Sequence, residues 1–177
     1  MSIVTKQGDR GMTKLLSGET VSKADCRIEL VGTLDELLAT LGFARSMSPT
    51  QTFASEIRVL QIELMNVGSE LSSAGSKGPS KTRTVDVAQI EKKIAAIESE
   101  IKLPPSFLLP GTTPCASALE MARTIARRLE RQIVAVRDEK GHIADALIIY
   151  LNRLSDYLFL LARRAEQLAG VSFDSAS

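Results

Sequence analysis

The chain has 177 residues, 44% of them hydrophobic and 24% charged, the balance of one globular domain large enough to bury a core without staples. Lys and Arg number 22 against 21 Asp and Glu, Trp is absent, and Phe and Tyr are few, so the clustered charge and stacking surface of a nucleic-acid binder are missing. No apolar run approaches the ~20 residues of a membrane span, the first residues lack signal- or transit-peptide character, two cysteines predict a reducing cytoplasm, and a single histidine excludes a multi-His zinc site within the chain.

Residues 1 to 23 show no helical stepping. They contain Thr5-Lys6-Gln7-Gly8-Asp9-Arg10-Gly11-Met12-Thr13, where two glycines beside a lysine and hydroxyls allow the turns and free amides that a polyphosphate needs. The Gly-Lys-Ser/Thr ending of a P-loop is missing, and a flexible polar arm is the competing reading. Ile28, Val31, Leu34, Leu38 and Leu41 then form a helical stripe that starts at residue 25 or at 33, where Thr33-x-x-Glu36 would make a capping box. Phe53, Ile57, Leu60, Leu64, Val67 and Leu71 follow in steps of four and three, with Ser48 as cap, Pro49 in the first turn and Gln51 as the boxed partner.

The polar, basic stretch from Gly75 to Thr84 predicts a mobile crossover. Behind Asp86, Val87, Ile90, Ile94, Ile97 and Ile101 repeat the helical stepping until Pro104-Pro105 forbids it. Leu103 to Pro114 carries no pattern. Thr113-Pro114 then caps a helix along Ala118, Ala122, Ile125, Leu129, Ile133 and Val136, and Asp138 to Gly141 reads as a turn. Ile143, Leu147, Tyr150, Leu154, Tyr157, Leu161 and Ala165 mark the last helix. No useful length alternates with period two, so the chain reads as one all-α domain, a bundle of four long helices and one shorter helix.

Polar residues interrupt these stripes at informative places. Arg123, Arg127, Arg128 and Arg131, with Glu120 and Glu130, put several guanidiniums on one helical face. Such groups repel one another unless an anion or carboxylates sit among them, and their forks suit phosphate oxygens. A solvated, salt-bridged face is the alternative. Asn152, Arg153, Ser155 and Asp156 interrupt the last apolar helix, where a buried hydrogen-bonded polar pair is equally ordinary. Asp35-Glu36 read as surface carboxylates. Glu139-x-x-His142 has di-iron spacing but no second pair, and Cys26 and Cys115 read as small apolar residues.

Taken together, these blocks carry a resemblance. Thr5-Lys6-x-Gly8-Asp9-x-Gly11-x-Thr13, Lys23-x-Asp25-x-Arg27-x-Glu29 and Gly32-Thr33-x-Asp35-Glu36-Leu37 come first. Phe107-x-Leu109-Pro110-Gly111, Ala122-Arg123-Thr124-x-x-Arg127-Arg128-x-Glu130-Arg131 and Tyr150-Leu151-Asn152-Arg153-Leu154-Ser155-Asp156-Tyr157 complete it. In this order, over residues 5 to about 166, the chain resembles the PduO-type ATP:cob(I)alamin adenosyltransferases. It departs from the family pattern at Leu38, Thr112 and Glu120, where Asn, Gly and His are common.

The resemblance implies a single domain over 1–177: an ATP-binding arm at 1–23, a helical bundle at 24–169 and a tail at 170–177. It implies a five-helix subunit on a four-helix up-down bundle, assembled as a homotrimer with sites between neighbours. Thr5, Lys6, Gly8, Asp9, Gly11, Thr13 and Lys23 would cradle ATP phosphates, facing Arg127, Arg128, Glu130, Arg131 and Asn152. Asp35 and Arg123 would pair across the interface and, with Arg127, carry catalysis. Phe107, Ser155 and Phe159 would lie on the corrinoid side. Mg²⁺ would ride on ATP without protein ligands. The implied reaction is attack of Co(I) on the 5′ carbon of ATP with loss of triphosphate, with a flavin reductase and a cobalamin-dependent enzyme as partners. An ATP-dependent cobalamin carrier or sensor, and a purely structural helical oligomer, are the alternatives.

Overall fold

The computed structural model describes residues 4, 6, 8–73, 85–140 and 143–176. Thr5, the Gly75 to Thr84 crossover, and Gly141 and His142 lie outside the described residues. Five helices carry the fold: α1 (Cys26–Ser46), α2 (Gln51–Ser73), α3 (Val87–Glu100), α4 (Pro114–Lys140) and α5 (Asp145–Leu168). α1 packs between α2 and α4, α4 packs on α5, and α5 packs on α3. Lys93 of α3 reaches Glu63 of α2 at 2.8 Å.

Side-chain caps fix most helix starts. Asp25 accepts from the Arg27 amide at 2.9 Å, Asp86 from that of Gln89 at 2.9 Å, and Thr113 from that of Ala116 at 3.1 Å, each satisfying an orphan donor of a first turn. Asp25 thus decides the start of α1. Thr33 lies inside that helix and donates its hydroxyl to the Glu29 carbonyl. For α2 the expected cap is wrong. Thr50 accepts from the Phe53 amide at 3.2 Å, while the Ser48 hydroxyl caps no amide among the described residues, so the chain turns two residues later than Ser48-Pro49 suggested. α4 also runs on to Lys140, because nothing at Asp138 and Glu139 breaks it before Gly141.

The predicted stripes of α2, α4 and α5 are the core, each of their named residues being at most 8% exposed except Ile143, which lies before α5 and is only half-buried. On α1 the buried residues are Leu30, Leu34, Leu37, Leu41 and Ala44, whereas Ile28, Val31 and Leu38 are only half-buried. The expected stripe was therefore rotated: Ile28, Val31 and Leu38 and the exposed Phe43 add apolar residues beside the inner face, so spacing alone did not single it out. Each fully buried leucine stabilises the bundle by about 1.5–3 kcal/mol.

An antiparallel hairpin, β1 (Met12–Lys14) and β2 (Thr20–Ser22), departs from the purely helical expectation. Its strands of three residues are too short for alternation to register. Arg27 ties the hairpin to α1. Its guanidinium, 7% exposed, donates to both oxygens of Glu19 at 2.9 and 3.0 Å and to Asp25 at 2.9 and 3.0 Å. Those bonds, Asp25's first, hold the guanidinium well above its usual range. Arg27→Met should cost about 1.5–3 kcal/mol, the scale of hydrogen bonds to charged groups. Hydrogen exchange should show the Leu15 amide, which donates to Glu19, losing protection while α4 and α5 keep theirs; loss across all helices would refute a local role.

Candidate functional site

On α4, arginines recur through Arg131, and the bundle neutralises two of them. Arg123 Nε donates to Glu120 at 2.6 Å, and Arg128 pairs with Glu36 of α1. Arg127 and Arg131 are exposed, one turn apart, and have no hydrogen-bond or ion-pair partner among the described residues. Like charges at this spacing cost a helix a few tenths of a kcal/mol, roughly 0.2–0.5. Between them Glu130 accepts from Asn152 of α5 at 3.0 Å, and the Asn152 carbonyl oxygen accepts from Arg153 at 3.1 Å. The predicted nucleotide residues of α4 and α5 therefore meet, and they present two open guanidiniums suited to phosphate oxygens.

The arm supplies a second, separate cluster. Gly11 has φ of 74°, a backbone that glycine adopts without strain, and its carbonyl accepts from the Lys23 amide at 2.8 Å. The Lys23 ammonium lies over Gly8, 2.9 Å from where a Cβ would stand, so only glycine gives it that approach. Lys6 is exposed with φ of 58°, Asp9 is exposed, and Thr13 is half-buried in β1. Lys6, Asp9 and Lys23 have no side-chain partner among the described residues. Thr13 and Asp35 line one groove of about 590 Å³ against α1 and α2, together with Val31, Leu38 and Met65. Within one chain Asp35 and Arg123 do not pair, and no described residue of the arm bonds to Arg127 or Arg131.

Phe107 is 89% exposed, yet its segment is held. The Leu109 amide donates to Asp174 at 2.8 Å, and the Phe107 carbonyl accepts from Ala176 at 2.9 Å, so the tail pairs with this segment antiparallel at Leu108 and Ser175. The remaining corrinoid-side expectations fare unequally. Ser155 is buried and donates its hydroxyl to the Asn152 carbonyl at 2.9 Å. Phe159 is half-buried, with the Arg163 guanidinium 5.2 Å from its ring centroid.

The sequence reading passed over Arg163 and Glu166, both fully buried. Their signal was legible as two charges three apart inside the apolar run of α5. Burial pushes the Glu166 carboxyl up, against the opposing Thr112 hydroxyl and Arg163 charge.

Comparison with known proteins places this geometry. The cobalamin adenosyltransferase family profile matches residues 3–165. A corrinoid adenosyltransferase of Bacillus subtilis is 37% identical over 175 residues, covering 97% of this chain and 90% of that protein. The corrinoid adenosyltransferase PduO of Salmonella typhimurium is 38% identical over 92% of this chain, which spans 49% of that longer protein. A variant PduO-type ATP:corrinoid adenosyltransferase from Lactobacillus reuteri, complexed with cobalamin and ATP, superposes with a TM-score of 0.90 at 34% identity, covering 98% of each chain.

Removing residues 171–177 takes away the partners of Phe107 and Leu109. The truncated protein should keep its ATP KM while its corrinoid KM rises several-fold in steady-state kinetics. An unchanged corrinoid KM would show that the tail pairing does not serve the Phe107 segment.

Proposed function

The chain belongs to the cobalamin adenosyltransferase family, and we propose that its arm and α4–α5 face transfer the 5′-deoxyadenosyl group of ATP to cob(I)alamin, releasing triphosphate. One observation carries this reading: Arg127 and Arg131 stand without carboxylate partners among the described residues, beside the joined Glu130 and Asn152. Reduced cobalt brings the nucleophile with the substrate. The protein's work is to orient ATP, exclude water and neutralise the leaving triphosphate.

Arg127 and Arg131 meet phosphate oxygens from the helices, while Lys6, Gly8, Gly11, Thr13 and Lys23 wrap them from the arm. Thr5, Asp9 and Arg128 belong to the same phosphate side. Among the described residues no group of three His, Cys, Asp or Glu gathers as a metal site, and Mg²⁺ arrives on ATP. Phe107, projecting from a tethered backbone, covers the lower face of the corrin and keeps the axial base away. Ser155 and Phe159 line the corrinoid side from α5.

The two phosphate-binding clusters are separate within one chain, which supports a homotrimer in which the arm of one copy meets the arginine face of the next. Arg123, held through Nε, keeps its terminal nitrogens without a partner among the described residues, ready for Asp35 of another copy. The half-buried Val31 and Leu38 and the exposed Met65 give that contact an apolar centre. No described helix is long and apolar enough to cross a membrane. A cytoplasmic setting with a flavin reductase upstream and a cobalamin-dependent enzyme downstream completes the reading.

An anaerobic assay with cob(I)alamin and MgATP tests it: the Co(I) band should decay to a light-sensitive alkylcobalamin with triphosphate released. ATP binding without turnover would favour the carrier reading. Arg127→Ala should weaken ATP binding by about 1.5–3 kcal/mol, the value of a charged hydrogen-bond partner, with oligomeric state unchanged by sedimentation; undiminished ATP affinity would remove Arg127 from the site. Phe107→Ala should slow reaction started from Co(II) more than reaction started from Co(I). Equal slowing would dismiss its role against the axial base.

A further inference from the structure

A buried chain of charges crosses the α4–α5 contact. At its centre is Arg163, 0% exposed. Its Nη2 donates to Glu120 Oε1 at 3.2 Å, and its Nε lies 3.1 Å from Glu166 Oε2, an ion pair without hydrogen-bond alignment. Each carboxylate spends its second oxygen elsewhere. Glu120 Oε2 accepts from Arg123 Nε at 2.6 Å, and Glu166 Oε1 accepts from the Thr112 hydroxyl. The flat face of Arg163 meets the Phe159 ring.

This arrangement is poorly suited to stability alone. Buried ion pairs lose in desolvation much of what they gain in attraction, and apolar residues of similar volume usually serve as well. Arg163 Nη1 is moreover buried without a partner. A bidentate pair would satisfy itself, whereas these carboxylates bridge outward, so the chain spends its bonds on fixing distant groups. One end is the interfacial Arg123. The other is Thr112, five residues after Phe107 in the segment that joins the tail to α4.

We propose that Arg163 is a positioning residue for adenosyl transfer: through Glu120 it orients Arg123, through Glu166 and Thr112 it holds the segment bearing Phe107, and with its own face it fixes Phe159. The inference rests on the transferase reading. It adds a rigid connection between the interface side of the site and the corrinoid side, built from residues that touch neither substrate.

Glu120→Gln and Thr112→Val test it, singly and combined. The first keeps one acceptor but cannot bridge two guanidiniums. The second removes one hydroxyl at nearly constant volume, and keeps the test open should Glu120→Gln not fold. Each variant should lose kcat by roughly 10- to 100-fold, the scale of a misplacement of about 1 Å, while the ATP KM stays unchanged. The paramagnetic resonance signature of four-coordinate cob(II)alamin, formed with ATP present, should fall in parallel. Because the two residues sit at opposite ends of the chain and share no contact, independent effects would multiply; the double variant should instead lose less than the product. Strictly multiplicative losses, or a lowered urea midpoint with kcat and the four-coordinate signal intact, would overturn the positioning role. Wild-type protein that binds both substrates without alkylation would count against the transferase reading itself.

Discussion

Repulsion among guanidiniums on α4 is the constraint around which the molecule is arranged. Four arginines between Arg123 and Arg131 cannot share a helix surface without compensation, and the bundle provides it selectively. Glu120 holds Arg123 and Glu36 of α1 holds Arg128, so helix packing and charge balance are settled together. Arg127 and Arg131 are left uncompensated at the surface, where solvent and salt keep the cost small. In the proposed reading, that same repulsion is what an incoming triphosphate relieves. The helix bearing these arginines buries Ala118, Ala122, Ile125, Leu129 and Ile133 on its other side, which makes it rigid behind an open face.

The arm follows the opposite plan. Its root is anchored, because Arg27 ties Glu19 in the hairpin turn to the cap of α1, and Leu15 and Val21 sink into the bundle surface. Its tip leaves Lys6 and Asp9 exposed, with Lys23 resting on the bare backbone of Gly8. In the proposed reading, such a loop reaches over a phosphate chain without having to refold its base. Ordering the tip costs conformational entropy at binding, and the prefixed hairpin confines that cost to a few residues.

How much was legible in the sequence depends on where each signal's partner lies. α2, α4 and α5 each turn one apolar side inward, so spacing alone named their core residues. α1 is flanked by α2 and α4 and carries further apolar residues, Val31 and Leu38, along the groove at Asp35, so its buried stripe was not the only apolar one that spacing offered. The caps at Asp86 and Thr113 were local and readable; the choice of Thr50 over Ser48 depended on how the α1–α2 turn packs. The arginine stripe was visible because repulsion between neighbours is a local fact. The Arg163 chain was not, since Glu120 lies 43 residues from Arg163 and Thr112 lies 54 residues from its partner Glu166. A pair of charges inside the apolar run of α5 was the trace it left.

Phe107 joins these themes. An aromatic ring left 89% exposed gives up hydrophobic stabilisation, and a free loop would let it collapse against the nearest apolar surface. Here the Phe107 carbonyl and the Leu109 amide are bound to the tail, and Thr112 is bound to Glu166. The ring is thereby kept out in solvent by a frame that has little freedom of its own. Holding an apolar group in water is useful when its partner is a flat, hydrophobic macrocycle that must displace a polar ligand. The same bundle therefore offers bare charge at Arg127 and Arg131 and bare hydrocarbon at Phe107, the first on a helix packed from behind and the second on a segment held by the tail.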